Sequence, residues 1–196
     1  MKEMQHPKII IVVSGKRKSG KDFFTDNLVK QISEVNCHIL KVSSPIKRHF
    51  SKKYNLSYSE LITSSNYKEQ CRAEMIKWGE EQRSKDSAIF CRAEKNLAVE
   101  ASKPVWILSD ARRPSDVKYF RDYSKETKAQ FYGVRVSADI QTRESRGWKF
   151  TKDVDDVDSE CALDGYMEWD IQLNNSHNDE ILGKIDEFVA KVKTFL

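Results

Sequence analysis

The chain has 196 residues, 39% of them hydrophobic and 33% charged, with 34 basic against 30 acidic side chains for a net charge of +4. That length suits one domain with a full core, and so mild a charge excess is too small to imply nucleic-acid binding by itself. The cysteines Cys37, Cys71, Cys91 and Cys161 form no CxxC pair, which argues against a zinc ribbon or a disulfide scaffold and for reduced thiols.

Ile9 to Val13 read as a buried strand that runs directly into Gly15-Lys16-Arg17-Lys18-Ser19-Gly20-Lys21. Strand, glycine-bounded turn and helix start, in that order, make a loop whose backbone N–H groups cradle phosphates while a lysine reaches the outer ones. Four of the six residues from Lys16 to Lys21 are cationic, which points to a nucleoside triphosphate. Asp22 stands where Ser or Thr normally meets magnesium. Phe23, Phe24, Leu28 and Ile32 then recur near helical spacing, with Asp22, Asp26 and Glu34 on the polar side.

Cys37 to Val42 predict a second strand, stopped by Ser43-Ser44-Pro45. Helices are expected over Ile46–Tyr54, Tyr67–Arg83 and about 87–100. Pro104–Leu108 predict a third strand ending at Ser109-Asp110, Phe131–Val136 a fourth and Trp169–Leu173 a short fifth. Asp179–Phe195 close the chain as a helix with Ile181, Ile185, Phe188, Val189 and Val192 on one side. This alternation predicts an α/β fold, a parallel five-stranded sheet with helices on both faces, and one domain over residues 1–196.

Open parallel sheets bind ligands outside the carboxyl ends of their strands. Gly15–Lys21, Ser43–Lys47, Asp110–Arg113, the stretch after Val136 and Asn174-Asn175 should therefore converge. Asp110 closes an apolar strand, a position suited to a carboxylate near magnesium, and the guanidinium forks of Arg112 and Arg113 suit phosphate. Lys68 and Arg72 share one helix face, and Arg83 lies three turns farther along. Arg143 and Arg146, followed by Gly147-Trp148-Lys149, mark a mobile lid over about 138–165. The run Asp153, Asp155, Asp156, Asp158, Glu160 and Asp164 lacks the glycine and terminal glutamate of a calcium loop, and we expect a solvated lid edge. His6, His38, His49 and His177 have no evident catalytic partner.

Taken together, GKRKSGKDF, SDARRPSD, the YKE…R…WGEE.R series at Tyr67–Arg83, RESRGW at Arg143–Trp148 and VDDVDSECALD at Val154–Asp164 resemble the animal-type phosphomevalonate kinases. The resemblance spans nearly the whole chain, and Asp22 belongs to that family's pattern. It implies a P-loop kinase of the nucleoside-monophosphate-kinase-like group. Such an enzyme transfers the ATP γ-phosphoryl group to 5-phosphomevalonate with Mg2+, on the route to isoprenoids and sterols. Carried over, Gly15 to Asp22 would hold the ATP phosphates, with Lys16, Arg17, Lys21 and Asp22 catalytic. Lys47, Lys68, Arg72, Arg83, Arg112 and Arg113 would face phosphomevalonate. Arg135, Arg143 and Arg146 would serve the closed lid. Asn174 would lie near bound ligand and Asn175 would begin the nucleotide-side loop. Asp22 and Asp110 would act on magnesium through water.

The chemistry agrees. A phosphate monoester is largely dianionic at neutral pH, so its attack requires cations rather than a general base. The rival readings are a nucleoside-monophosphate kinase, a silent ATP-binding protein and a nucleic-acid binder using the basic helices. The polar N-terminal residues and the five-residue aliphatic run after them fit neither a secretory signal nor a membrane span, and Thr194-Phe195-Leu196 is not an SKL-type ending. The expected partners are small molecules, with no nucleic acid and no membrane, for a cytosolic monomer.

Overall fold

The computed structural model describes residues 6–62, 66–176 and 178–196. Strands β1 (Ile9–Ser14), β2 (Cys37–Leu40), β3 (Val105–Leu108), β4 (Gln130–Ser137) and β5 (Ile171–Asn174) form one sheet in the order β2-β3-β1-β4-β5, every neighbouring pair parallel. β1 lies at its centre, with Ile11 level with Ile107 on one side and Tyr132 on the other. A strand covered on both faces has no polar side to present, and for this reason Ile9 to Val13 form an unbroken apolar run with 0% exposure throughout.

Helices cover both faces. Ile9, Ile11 and Val13 pack against Phe24, Leu28 and Ile32 of α1 (Lys21–Ile32) and Ile181, Ile185 and Phe188 of α9 (Asn178–Lys193). Ile10, Val12, Trp106 and Leu108 face Phe90 and Ala98 of α5 (Ile89–Ala101) and Val117 and Phe120 of α6 (Pro114–Thr127). A smaller cluster, Phe50, Leu61 and Met75, joins α2 (Ser44–Tyr54), α3 (Tyr58–Ile62) and α4 (Asn66–Lys85) into a wall beside the sheet. The short helices α7 (Ile140–Ser145) and α8 (Asp158–Cys161) belong to the segment joining β4 to β5.

Most elements fall where the sequence predicts them, and the departures have local causes. β2 ends at Leu40 rather than Val42 because the Val42 and Ser43 amides turn to the Asp110 carboxylate, at 2.7 and 3.1 Å. β5 starts at Ile171 rather than Trp169, since Asp170 turns its carboxylate to the Gly133 amide at 2.6 Å. Its polar composition follows from its place at the sheet edge, where Gln172 and Asn174 are exposed. Phe23, grouped with the core side of α1 by spacing, is 43% exposed and faces a cleft. α6 was not anticipated. Its marks are Pro114 at the first helical turn, Asp116 two residues on, and the buried spacing Val117, Phe120, Ser124.

Candidate active site at the carboxyl ends of the strands

The chain leaves β1 at Ser14 and turns through Gly15 to Gly20 before α1 begins. Both glycines are required. A side chain at Gly15 would stand 2.5 Å from the Val136 carbonyl oxygen and from Ser19 Oγ. Gly20 has φ of +93°, in the left-handed region, and its Cβ would stand 1.8 Å from Asn175 Nδ2. Asn175 is buried, donates to the Ser19 carbonyl at 3.0 Å and anchors its own amide on Ser137 at 2.7 Å. The segment after β5 therefore braces the loop.

Beside the loop lies a cleft of about 850 Å³. Arg17, Lys18, Lys21, Asp22 and Phe23 line one side, Lys47, Arg72 and Arg83 the other, and Asp110 and Arg112 the floor. Lys21 is ringed by protein, and its pKa lies below the ordinary lysine value of 10.5. Burial is the main cause and Arg112 adds to it, against the raising influence of Asp22, Glu160 and Asp110. For Arg112, burial again opposes the charge, but Glu160, Asp110 and Asp116 outweigh it and raise the pKa. Arg113 sits just behind the cleft wall, ion-paired with Glu80 and with Asp158 at 3.1 Å.

The segment from β4 to β5 folds over this floor. Arg143 is buried; its Nε donates to the Arg17 carbonyl at 2.8 Å and its guanidinium stacks 4.0 Å from the Trp148 ring. Arg146 donates to the Asn175 carbonyl at 2.8 Å and reaches the Lys18 and Ser19 carbonyls at 3.4 Å. The acidic run is solvated as its spacing suggested at Asp153, Asp156, Asp158 and Asp164, but Asp155 and Glu160 turn inward, and four of its members pair with site cations. Asp155 pairs with Arg17 at 3.0 Å, Asp164 with Lys16 at 2.6 Å and Arg135 at 2.8 Å, and Asp158 with Arg113. Glu160 accepts from the Arg17 amide at 2.7 Å and from Arg112 at 2.5 Å. Sequence reasoning missed these carboxylates because it tested them as a metal loop and never as counter-ions. The signal was an acidic run of one segment set against the basic runs of two others.

The fold thus brings Arg17, Lys18, Gly20, Lys21 and Asp22 of the loop, with Lys47, Arg72, Arg83, Asp110, Arg112, Arg146 and Asn175, to one cleft, while Gly15, Lys16, Ser19, Arg113, Arg135 and Arg143 stand off its lining. Asn174 is not brought in: it is exposed, and its Oδ1 caps the Ser176 amide at 3.0 Å, because alternation along β5 sends it opposite to the buried Leu173. The Lys68 side chain and His177 lie outside the described residues. His49, stacked 4.1 Å from Trp78, belongs to the packing of α2 on α4. Among the described residues no cluster of three metal-binding side chains occurs, yet Asp22 and Asp110 both border the cleft beside Lys21. Two carboxylates at a phosphate seat fit a magnesium ion that arrives with a nucleotide and keeps its waters.

Comparison with known proteins decides the family. The family model described as phosphomevalonate kinase matches residues 13–126. The phosphomevalonate kinase of Drosophila melanogaster is 37% identical over 169 residues, covering 85% of this chain and 87% of that protein. The chain belongs to the phosphomevalonate kinase family. Among solved structures, a gluconokinase from Sinorhizobium meliloti superposes with a TM-score of 0.52 at 11% identity, covering 96% of this chain and 95% of its own. TT1252 from Thermus thermophilus does so with a TM-score of 0.50 at 14% identity, covering 98% and 99%. These likenesses show a shared fold. This member of the phosphomevalonate kinase family is accordingly an ATP-dependent phosphotransferase.

Proposed function

We propose that the chain transfers the γ-phosphoryl group of ATP to 5-phosphomevalonate, giving 5-diphosphomevalonate and ADP. The observation that carries this reading is the gathering of a phosphate loop and several further cations around one cleft, in a chain of this family. The acceptor phosphate monoester is already nucleophilic, so the barrier lies in bringing two polyanions together in line. Lys21, Lys16 and Arg17 act on the nucleotide phosphates. Lys47, Arg72, Arg83, Arg112 and Arg113 hold the acceptor, with Lys68 as a further candidate. Magnesium, held through water by Asp22 and Asp110, would neutralise charge on the nucleotide phosphates.

Residues 138–165 form the lid of a single kinase domain that spans the chain. Arg143 and Arg146, already bonded to loop carbonyls, set its hinge side. The lid carboxylates balance the site cations in the empty enzyme and yield them to phosphates as substrates bind.

A coupled assay for ADP, with ATP, magnesium and 5-phosphomevalonate, tests the reading. ADP formation that depends on phosphomevalonate, and a much weaker response to a panel of nucleoside monophosphates, is the expected result. ADP formation with a mononucleotide alone would replace this function by a nucleoside-monophosphate kinase.

A further inference from the structure

Asp116 has no surface exposure, lies outside the cleft lining, and collects donors from α4, α5 and the turn after β3, of which α4 and the turn also line the cleft. Its Oδ1 accepts from Arg83 Nη1 of α4 at 2.7 Å and from the Cys91 thiol of α5 at 3.3 Å. Its Oδ2 accepts the backbone amides of Arg112 at 2.9 Å and Arg113 at 3.1 Å. Arg83 Nη2 approaches the same oxygen at 3.4 Å. The sequence explains the placement. Pro114 is the first residue of α6, Arg113 its cap, and the acidic residue at the third helical position turns back to cap the amides at the helix entrance.

A capping carboxylate ordinarily satisfies amides and nothing else. Here the same group also fixes a guanidinium that is 10% exposed and stacked 5.1 Å from the Phe90 ring. Arg83 and Arg112 line the cleft from two separate parts of the chain, α4 and the turn after β3, and Arg113 stands just behind the wall next to Arg112. Their mutual spacing is set where those parts share an anchor, and Asp116 is that anchor. Glu160 and Asp110 bear on Arg112 from the cleft side, and Glu80 and Asp158 on Arg113, so Asp116 works from behind, through the backbone of both.

We propose that Asp116 is a positioning residue for acceptor recognition, setting the aim of Arg83 through its side chain and of Arg112 and Arg113 through their amides. The inference rests on the kinase reading above, and the wild-type coupled assay separates the two: no phosphomevalonate-dependent ADP formation in wild type sinks that reading. With wild type active, Asp116→Asn turns an NH2 donor towards either Arg83 or the amides. The expected result is a rise of about tenfold or more in KM for phosphomevalonate, with KM for ATP within about twofold of wild type. A purely structural cap predicts a lower melting temperature with both KM values unchanged, and that outcome, or an equal rise in both, overturns the proposal.

Asp116→Glu keeps a counter-charge for buried Arg83 and carries the test where Asp116→Asn yields no folded protein. It displaces the carboxylate by one methylene and should raise KM for phosphomevalonate by roughly three- to tenfold with KM for ATP unmoved, since small misplacements of a positioning group cost this much or more. Unchanged acceptor KM in folded Asp116→Glu counts against it.

Discussion

Gly20→Ala offers the sharpest test of how the phosphate loop is held. The new methyl carbon would stand 1.8 Å from Asn175 Nδ2 and 3.1 Å from its Cγ, so the Asn175 carboxamide must leave. Its hydrogen bond to the Ser19 carbonyl then breaks, and the buried carbonyl loses a donor, at about 1–3 kcal/mol. A left-handed alanine adds roughly 1–2 kcal/mol. Partial relaxation of the loop favours the low end, about 2 kcal/mol, or a fall in Tm of roughly 4–8 °C for a domain of this size. Activity should suffer more, because a displacement near 1 Å at the phosphates costs about a hundredfold in kcat/KM. Differential scanning fluorimetry and the coupled assay read both quantities. The decisive control is Gly20→Ala combined with Asn175→Ala, which removes the obstructing amide. The pair should cost less than the sum of the single changes. Strict additivity, or Gly20→Ala with normal Tm and kcat/KM, would refute the bracing role of Asn175.

Lys21→Met should lower kcat by about 100- to 1,000-fold, the usual worth of one preorganised donor at developing charge, while stabilising the ligand-free fold. The folded-state pKa of Lys21 lies below 10.5, so burial of its ammonium penalises the fold fully below that folded-state pKa, and the penalty fades as pH rises from there to 10.5. The Tm advantage of Lys21→Met should shrink over that rise, and a pH-independent difference contradicts the assignment. Glu160→Gln should lower the Tm of the empty enzyme and strengthen inhibition by inorganic phosphate by about threefold or more, since phosphate no longer competes with a charged acceptor for Arg112 and the Arg17 amide. Unaltered phosphate inhibition would remove Glu160 as a counter-ion. Burial raises the Cys37 thiol to about 11 and pushes Cys91 higher still, with the Asp116 carboxylate adding to the shift at Cys91. Iodoacetamide at neutral pH should therefore leave both unmodified in the folded protein while labelling the less buried Cys71 and Cys161, as peptide mass spectrometry would reveal.

The central strand and the loop after it were legible because each is a local pattern: an apolar run, then glycines at fixed offsets. Placing ligands at strand ends converted that into the grouping of Asp110, Arg112 and the loop without any contact being known. What could not be read was pairing across the chain. The partnership of Arg17 with Asp155 spans 138 residues, and that of Arg112 with Glu160 spans 48. Nothing local distinguishes such carboxylates from a solvated acidic run. Asn174 and Asn175 show the opposite difficulty, for two identical neighbours at the end of β5 differ by which face each takes. Helix α6 was within reach, since Pro114, Asp116 and the Val117–Phe120–Ser124 spacing follow ordinary rules, but charge at the adjacent arginines drew the reading towards ligand binding.

The carboxylates folded over the phosphate loop make the protein its own competitor. Because Asp155, Asp158, Glu160 and Asp164 are tethered a few ångströms from the cations they satisfy, a visiting anion must outbid partners held at high local concentration. A single inorganic phosphate can replace one of them at a time and gains little. On the proposed function, a triphosphate and a phosphomonoester in adjoining seats would replace several together. Selection for the correct pair of ligands would then begin as a threshold on how many anionic groups arrive at once.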